Sequence, residues 1–417
     1  MSMTPSRLLQ ALHECLVARP LASYDYKAQT KRFIVAYSGG LDSHCLLHLL
    51  STYRQQLAVS IEAVHVHHGL QTDADGWVVH CQQVCQQLDI PFTVLYVDAT
   101  AAKGESPEAA ARTARYAALR EVIKEGDVLL TAQHRDDQAE TLLLQLFRGS
   151  GSRGQASMPR QRDFAAGEHW RPLLDVGRDE LRHYAEQQQL NWVEDPSNQD
   201  TGFDRNYLRH EVMPVLQRRW PTIEETLSRV ASQQAENEAL LEVLAAQDMQ
   251  GLLGIEHSLS LTGLSGLDEA RQRNVLRLWL REEGLALPSR RKLLQVQRDM
   301  LGAEQDKNPH LEWAGVELRR YRGRLYAMSP LQAVDENWCR DWDLHEKVDL
   351  PWSGQLLSHS AVGEGLRTDL AESGNTIQLR LRHGGERCRP VGRGQQHSLK
   401  NLFQEAGIPP WQRQRRP

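Results

Sequence analysis

The chain has 417 residues, 40% of them hydrophobic, which is enough for two or three domains that each bury a core. Its formal net charge of −5 argues against a protein that is basic throughout, as a general nucleic-acid coat would be. No apolar run reaches the ~18 residues of a membrane span, and residues 1–10 lack a signal-peptide pattern. Cys81 and Cys85 are one helical turn apart, not in a Cys-x-x-Cys pair. We therefore expect reduced thiols and a cytoplasmic protein.

Short apolar runs alternate with helical patterns in the first third of the chain. The strand-like runs are residues 33–37, 61–69, 91–97 and 128–134, and the helical stretches between them include residues 45–50, 77–88 and 107–125. This alternation predicts an α/β fold with a doubly wound parallel sheet, similar to the Rossmann fold. Ligands of such sheets bind at the carboxyl ends of the strands. We expect the active site there.

A glycine turn joins the first strand to the first helix, with the sequence Ser38-Gly39-Gly40-Leu41-Asp42-Ser43. Glycine lets a backbone approach a ligand closely, and a helix N-terminus favours an anion. The turn lacks both the Gly-Lys-Ser/Thr ending of a Walker A loop and the Gly-x-Gly-x-x-Gly of a dinucleotide site. We interpret it as a phosphate-binding loop whose Asp42 could hold Mg²⁺. The alternative is a tight strand–helix turn with Asp42 as a first-turn charge.

Three histidines end the second strand: His65, His67 and His68. In a strand, His65 and His67 share a face while His68 points away, and no nearby cysteine or carboxylate completes a tetrahedral zinc set. A zinc site stays open as an alternative. We favour an edge that lines a nucleotide.

A second chemical centre follows the fourth strand, where His134, Asp136 and Asp137 precede an apolar helix. Asp137 as a plain N-cap would leave the neighbouring His134 unexplained. The glycine-rich, cationic segment from Arg148 to Arg153 comes next and is flexible enough to close over a substrate.

An alanine-rich helix carries Arg112 and Arg115, three positions apart and so on one side. These arginines either form a solvated face or reach the phosphate pocket.

The glycine turn resembles the pyrophosphatase loop of the N-type ATP pyrophosphatases, the PP-loop superfamily. Further motifs, in order along the chain, resemble those of the tRNA(Ile)-lysidine synthetase family. They occupy residues 64–70, 134–141, 148–151, 171–174, 194–198 and 203–209. Together these matches are far more specific than the loop alone.

The resemblance implies that ATP is cleaved between its α and β phosphates. Such enzymes join free L-lysine to C2 of the wobble cytidine in an isoleucine tRNA with a CAU anticodon. The cytidine is first adenylated, and AMP and pyrophosphate are released. We expect ATP and Mg²⁺ as cofactors, and a homodimer is left open.

The expected site residues follow from these motifs. Catalytic roles are predicted for Asp42, His134, Asp137 and Arg205, with Asp42 and Asp137 as Mg²⁺ ligands. ATP is predicted to contact Ser38, Gly39, Gly40, Leu41, Asp42, Ser43, His65 and Arg112. The tRNA is predicted to contact Arg148, Arg153, Asn206, Arg209, Arg387, Arg389, Arg393 and Lys400.

Three domains are expected: a catalytic domain at residues 1–218, a small leucine-rich helical domain at 219–328 that binds substrate or tRNA, and an α+β module at 345–417. A linker is expected at residues 329–348. Six cations gather in the last module, which predicts binding to the tRNA backbone. In the resembled family a strand pair usually follows such a Pro-Pro-Trp, so we expect this module to be truncated.

Three rival functions have distinct signatures. A tRNA thiolase of the same superfamily needs cysteines beside the loop, whereas Cys45 is expected to point into an apolar helix. A small-molecule adenylating synthetase of the amidotransferase type would not need tRNA. A tRNA-binding protein that only senses ATP would not need carboxylates clustered with the loop.

Overall fold

The computed structural model describes residues 7–17, 32–57, 59–69, 74–101, 106–302, 309–342, 346–352, 354–359, 377–390 and 393–415. Leu70, at the end of the histidine motif, lies outside these ranges. The chain divides into two compact units, Met1–Leu240 and Leu241–Pro417. The division into three domains stays a prediction. Within the described ranges, no helix is both long enough and apolar enough to cross a bilayer.

The first unit is built on one six-stranded sheet. Its strands are β1 Arg32–Ala36, β2 Ser60–His67, β3 Phe92–Tyr96, β4 Asp127–Leu130, β5 Gln161–Phe164 and β6 Gly167–Trp170. The helices up to the last strand are α1 Arg7–Val17, α2 Leu41–Leu57, α3 Ala74–Gln87, α4 Pro107–Val122, α5 Arg135–Phe147 and α6 Ser152–Gln155. α7 Arg178–Gln187 follows the last strand.

The strand order is β3-β2-β1-β4-β6-β5. β1 pairs in parallel with β2 and β4, β4 in parallel with β6, and only β5 runs antiparallel. The predicted parallel, doubly wound sheet is confirmed, whereas the β5–β6 hairpin was not predicted. The order reverses between β1 and β4, and such a switch point is where open α/β sheets bind ligands.

Strand β1 is buried on both faces, which explains its unbroken run of apolar side chains. Phe33 and Val35 pack into a core that includes Leu46 and Leu50 of α2. Ile34 packs into a second core on the opposite face. The helices α2 and α4 therefore cover opposite faces of the sheet, since Leu119 of α4 belongs to the second core.

Arg32 joins three strands at their amino ends. Its guanidinium lies 2.5 Å from Glu62 of β2 and 2.9 Å from Asp127 of β4. The Asp127 side chain is only 3% exposed, so this ion pair is shielded from solvent.

A continuous helical run ends the sheet domain. It comprises α8 Asp204–Tyr207, a π-helical turn Leu208–Val212 and α9 Met213–Arg219. Pro214 accounts for the wide turn, because proline has no N–H to donate and its ring clashes with a carbonyl one turn back. The long helix α10, Ile223–Met249, follows and includes the point where the two units divide.

The second unit contains more strand than its leucine-rich sequence predicted. Its helices are α11 Leu261–Ser265, α12 Glu269–Glu282 and α13 Arg290–Val296. A four-stranded antiparallel sheet has the order β7-β10-β9-β8, from β7 Leu259–Ser260, β8 His310–Trp313, β9 Val316–Tyr321 and β10 Arg324–Met328. The helical prediction for residues 219–328 thus covers only part of that segment.

The C-terminal region consists of short strand pairs followed by two helices. The pairs are β11 Cys339–Trp342 with β14 Ile377–Arg380, β12 Val348–Asp349 with β13 Gln355–Leu356, and β15 Arg387–Cys388 with β16 His397–Ser398. The helices are α14 Leu399–Glu405 and α15 Pro410–Arg413. Part of the linker predicted at residues 329–348 is therefore a strand, since β11 lies within that range.

Candidate active site

The glycine turn closes through its two serines. Ser38 Oγ lies 3.0 Å from Ser43 Oγ, and the Ser38 amide donates to Ser43 Oγ at 3.2 Å. Ser43 Oγ in turn donates to the Gly40 carbonyl at 3.0 Å. The hydroxyls thus fix the loop where α2 begins. The first amides of this 17-residue helix have no partner within the helix, as an anion site requires.

Position 39 requires glycine for two reasons, its backbone conformation and the close packing around it. Its φ is +84°, which L side chains rarely adopt. A Cβ atom there would lie 2.8 Å from Val193 Cγ2 and 2.9 Å from Cys81 Sγ. No other residue fits this position without displacing its neighbours.

Cys81 packs behind the loop but is unsuited to sulfur transfer. It is fully buried, and burial raises the pKa of its thiol to about 12. Since the thiolate is the reactive form, this raised pKa disfavours a role for Cys81 in sulfur transfer. Cys45 is likewise fully buried and lies 3.4 Å from the Leu181 carbonyl, as predicted for an apolar helix face.

His134 lies among three carboxylates at the switch point. Its Nε2 is 3.6 Å from Asp42 Oδ2 and 3.5 Å from Asp137 Oδ2, while its Nδ1 is 3.6 Å from Asp136 Oδ2. The Asp137 carboxylate also accepts from the His134 amide at 3.1 Å, so it caps α5 as well. The structure therefore brings together the loop aspartate and the second chemical centre, as the strand ends predicted.

At this cluster, attraction between opposite charges outweighs the effect of burial on the pKa values of His134, Asp136 and Asp137. Burial alone would lower the pKa of His134, but Asp137, Asp136 and Asp42 outweigh it and hold that pKa well above its ordinary value. Burial raises and His134 lowers the pKa of Asp136 and Asp137, with a net lowering for both. The ring and its carboxylates thus stabilise each other's charged forms.

A buried glutamate joins this centre to the helical run at residues 204–219. Glu140, 2% exposed, accepts from Arg209 Nε at 2.6 Å and from Arg209 Nη2 at 2.9 Å. Arg209 Nη2 also donates to Asp137 Oδ1 at 3.1 Å. Arg205 Nη2 donates to Thr141 Oγ1 at 2.7 Å. Arg205 and Arg209 thus lie close together, and the partners that the structure shows for both are protein groups.

The three histidines of β2 and its loop each have a separate partner. His65 Nδ1 donates to the Tyr37 carbonyl at 2.9 Å, and His67 Nε2 lies 3.2 Å from Asp75. His68 Nε2 accepts from Arg115 at 3.2 Å. Within the described residues they do not form a compact ligand group, so the geometry does not support zinc there. The His65 ring is buried, which leaves its predicted contact with ATP untested.

The remaining predicted residues lie in three places. Arg112 stacks on Tyr116, with its guanidinium carbon 5.1 Å from the ring centre. Asn206 holds a neighbouring loop by donating to the carbonyls of Ser197 and Asp200, each at 2.9 Å. The other predicted tRNA contacts are solvent-exposed: Arg148, Arg153, Arg387, Arg389, Arg393 and Lys400. Their roles stay predictions.

Comparison with known proteins identifies family models and relatives that match most of the chain. A model described as a PP-loop domain matches residues 11–216, and models described as the TilS substrate binding domain and the TilS substrate C-terminal domain match residues 259–326 and 377–417. The tRNA(Ile)-lysidine synthase of Coxiella burnetii is 44% identical over 92% of this chain and 85% of that protein. That of Methylococcus capsulatus is 42% identical over 92% and 88%.

The chain belongs to the tRNA(Ile)-lysidine synthase family. As a member of this family it is an ATP-dependent ligase, and its PP-loop domain implies the use of ATP. Among solved structures, the U34-tRNA thiolase NcsA from Methanococcus maripaludis is similar at 15% identity, with a TM-score of 0.46 over 55% of this chain and 78% of that one. That likeness adds nothing to the assignment.

The sequence analysis assigned no role to Glu140 of the site or to the buried Arg171. Glu140 follows Asp137 by three positions on α5, so the two carboxylates share a face, and this spacing was a usable signal. Arg171 directly follows β6 and is 2% exposed. A buried arginine has no reliable signature in a single sequence.

Proposed function

We propose that this chain joins free L-lysine to C2 of the wobble cytidine in an isoleucine tRNA with a CAU anticodon, forming lysidine. The observation that carries the proposal is the meeting of Asp42, His134 and Asp137 at the switch point. The loop that would hold phosphates follows β1, and the second group of carboxylates follows β4. Both lie next to the imidazole ring of His134. The family assignment supplies the reaction class.

The residues fit a magnesium ion. Asp42 Oδ1 is buried and has no hydrogen-bond partner among the described atoms, so an oxygen ligand is already in place. Asp42 and Asp137 would hold Mg²⁺ through the oxygen atoms that this hard cation prefers. When bound, the ion would offset the negative charge of the phosphates.

The proposed chemistry has two steps. The C2 oxygen of cytidine attacks the α-phosphorus of ATP, the bond between the α-phosphorus and its bridging oxygen breaks, and pyrophosphate leaves. The neutral ε-amine of lysine then attacks C2, AMP leaves with the former C2 oxygen, and the amine loses a proton. Adenylation is needed because the carbonyl oxygen at C2 is a very poor leaving group by itself, whereas AMP is a good one.

The chain's own groups would serve these steps. The amides at the start of α2 would bind the departing pyrophosphate, and His134 lies where a ring nitrogen could exchange a proton with the substrate. Arg205 would contribute positive charge near the reacting phosphate. Free lysine, a tRNA contact through the C-terminal region and a homodimer belong to the same proposal.

Incorporation of labelled lysine into tRNA tests the proposal. We expect ATP-dependent transfer to isoleucine tRNA with a CAU anticodon and none to methionine tRNA with the same anticodon. ATP–pyrophosphate exchange should require the tRNA. Exchange that proceeds with lysine alone would instead indicate a small-molecule synthetase.

A further inference from the structure

Three arginines converge on a buried histidine on the α4 side of the sheet. Arg162 Nε and Arg171 Nη2 each donate to His169 Nδ1 at 3.3 Å. The His169 ring lies 5.8 Å from the Tyr116 ring, on which Arg112 stacks at 5.1 Å. Three separate elements, α4, β5 and the end of β6, thus direct positive charge to one place.

Among the residues that the structure describes, no acid balances this cluster. Within the part of the chain that the structure describes, none of the three arginines has a carboxylate within 4.0 Å. Burial lowers the pKa of His169 to about 2, helped by Arg171, Arg162 and Arg112. Burial lowers the pKa of Arg171 to about 10; the neighbouring Tyr116 opposes this shift, whereas Arg162 and Arg112 add to it. The charges acting on His169 are therefore all positive.

Arg171 is a fixed part of the cluster. It is 2% exposed, and its Nη1 donates to the Pro159 carbonyl at 2.6 Å. Its Nε is buried and has no hydrogen-bond partner among the described atoms. Arg112 and Arg162 are exposed, so a ligand could reach them. Burying a guanidinium without a counter-charge costs free energy, which a bound anion would offset.

We propose that Arg112, Arg162 and Arg171 form an anion site that binds a phosphodiester of the substrate RNA. The inference rests on the proposed function. Guanidinium groups match phosphate oxygens in geometry and charge. A contact of this kind would fix the register of the RNA without reading a base.

Two observations favour RNA over the phosphates of ATP. The phosphate loop begins α2, which covers the face of the sheet opposite α4, so the two anion sites are on different faces. His169 Nε2 donates to Thr131 Oγ1 at 2.7 Å, and Thr131 bonds Gln133, the residue before His134. A phosphate at the cluster would therefore be linked to the segment that presents His134. This moves Arg112 from the predicted ATP contacts to the RNA contacts.

The Arg162→Gln variant tests the site with a matched control. Arg162 is exposed, so the variant should fold, and its melting curve should match that of the unmodified chain. We expect its affinity for the CAU-anticodon tRNA to fall at least threefold, and the slope of log affinity against log salt to flatten by about 0.7 to 0.9. The control is Arg120→Gln, on the same helix as Arg112 and 4.9 Å from the Phe164 ring, which removes an equal charge on the same face.

Each outcome decides the matter. ATP affinity should be unchanged in both variants, and Arg120→Gln should leave the tRNA affinity nearly unaltered. Equal losses in the two variants would mean general attraction only. A loss of ATP affinity in Arg162→Gln would assign the site to the phosphates of ATP. If inorganic phosphate stabilised the unmodified chain while Arg162→Gln bound tRNA normally, the site would belong to another phosphate. Lysine incorporation by the unmodified chain tests the proposed function separately.

Discussion

Arg209 forms a two-pronged ion pair with Glu140, with Nε 2.6 Å from Oε1 and Nη2 2.9 Å from Oε2. The glutamate side chain is 2% exposed, and the two residues are 69 positions apart in the chain. Burial raises the pKa of Glu140, partly opposed by Arg209. Removing one partner of such a pair leaves the other charge buried and unpaired, which typically costs about 3–5 kcal/mol.

Arg209→Ala should therefore destabilise the fold, whereas Arg205→Ala should mainly reduce turnover. Arg205 Nε is 3.5 Å from Glu140, a weaker contact than that of Arg209. We expect a loss of about 3–5 kcal/mol in the unfolding free energy for Arg209→Ala. Arg205→Ala should cut turnover at least tenfold, about 1.4 kcal/mol of transition-state stabilisation, with an unchanged melting temperature. Urea denaturation and lysine incorporation measure the two effects. Equal stability losses in both variants would give Arg205 a structural role only.

Asp42→Asn should abolish adenylation and leave the fold intact. The substitution keeps the side-chain shape but removes the charge that a magnesium ligand needs. The measurement is Mg²⁺-dependent release of AMP, with circular dichroism melting as the check on folding. Asp75→Asn is a suitable control, because its carboxylate is 92% exposed and lies outside the loop. A folded Asp42→Asn variant with unimpaired AMP release would remove Asp42 from the mechanism.

Gly39→Ala and Gly149→Ala separate backbone strain from crowding. Both glycines have positive φ, +84° and +65°, but a Cβ on Gly149 would meet nothing within 4 Å. Gly149→Ala should cost about 1–2 kcal/mol from strain alone. Gly39→Ala adds overlap with Val193 and Cys81, which costs about 1–3 kcal/mol more. Urea denaturation compares them. Similar losses would show that the loop can shift to make room.

Replacing His169 should flatten the loss of stability in acid. The folded pKa is about 2, against 6.5 for the free side chain, so the unfolded chain binds the proton more readily. Stability from the neutral ring is therefore complete above pH 6.5 and is lost as the pH falls below it. Between pH 7.5 and 5.5 the titration of this histidine should lower the free energy of unfolding by about 1.4 kcal/mol. The unfolding free energy of His169→Gln should vary less with pH by that amount. Identical pH slopes would mean that the buried ring does not titrate as described.

The C-terminal cations should bind the tRNA backbone. Arg387, Arg389 and Lys400 are exposed, whereas Arg393 is paired with Glu405 at 2.7 Å. Arg387, Arg389 and Lys400 have no ion pair with another described residue, and replacing them by glutamine should weaken tRNA binding and flatten its salt dependence by about 0.7 to 0.9 per phosphate lost. Arg393→Gln is the comparison and should have less effect. ATP affinity should not change in either protein. Unaltered tRNA affinity of the triple variant at several salt concentrations would mean that these side chains only solvate a surface.

The local pattern of apolar residues was sufficient to predict the parallel sheet and the phosphate-binding loop, since each of β1 to β4 is a short apolar run next to a helical one. It was insufficient for the second unit, where hairpins turn at Ala314-Gly315 and Arg322-Gly323. The first residue of each turn has a positive φ, +41° and +46°, and neither is the asparagine or aspartate that usually marks such turns. The ion pair of Glu140 with Arg209 was also beyond reach. A contact between residues so far apart in the chain leaves no periodic signal.

The central place of β1 has a consequence for synthesis of the chain. Its partner β2 is close in sequence, but Arg32 meets Asp127 of β4 only across 95 residues. At typical rates of about 5–20 residues per second, the ribosome needs on the order of 5–20 s to supply that strand. During this interval one edge of an apolar strand has unpaired backbone groups. The nascent sheet should therefore depend on chaperones most strongly before β4 emerges.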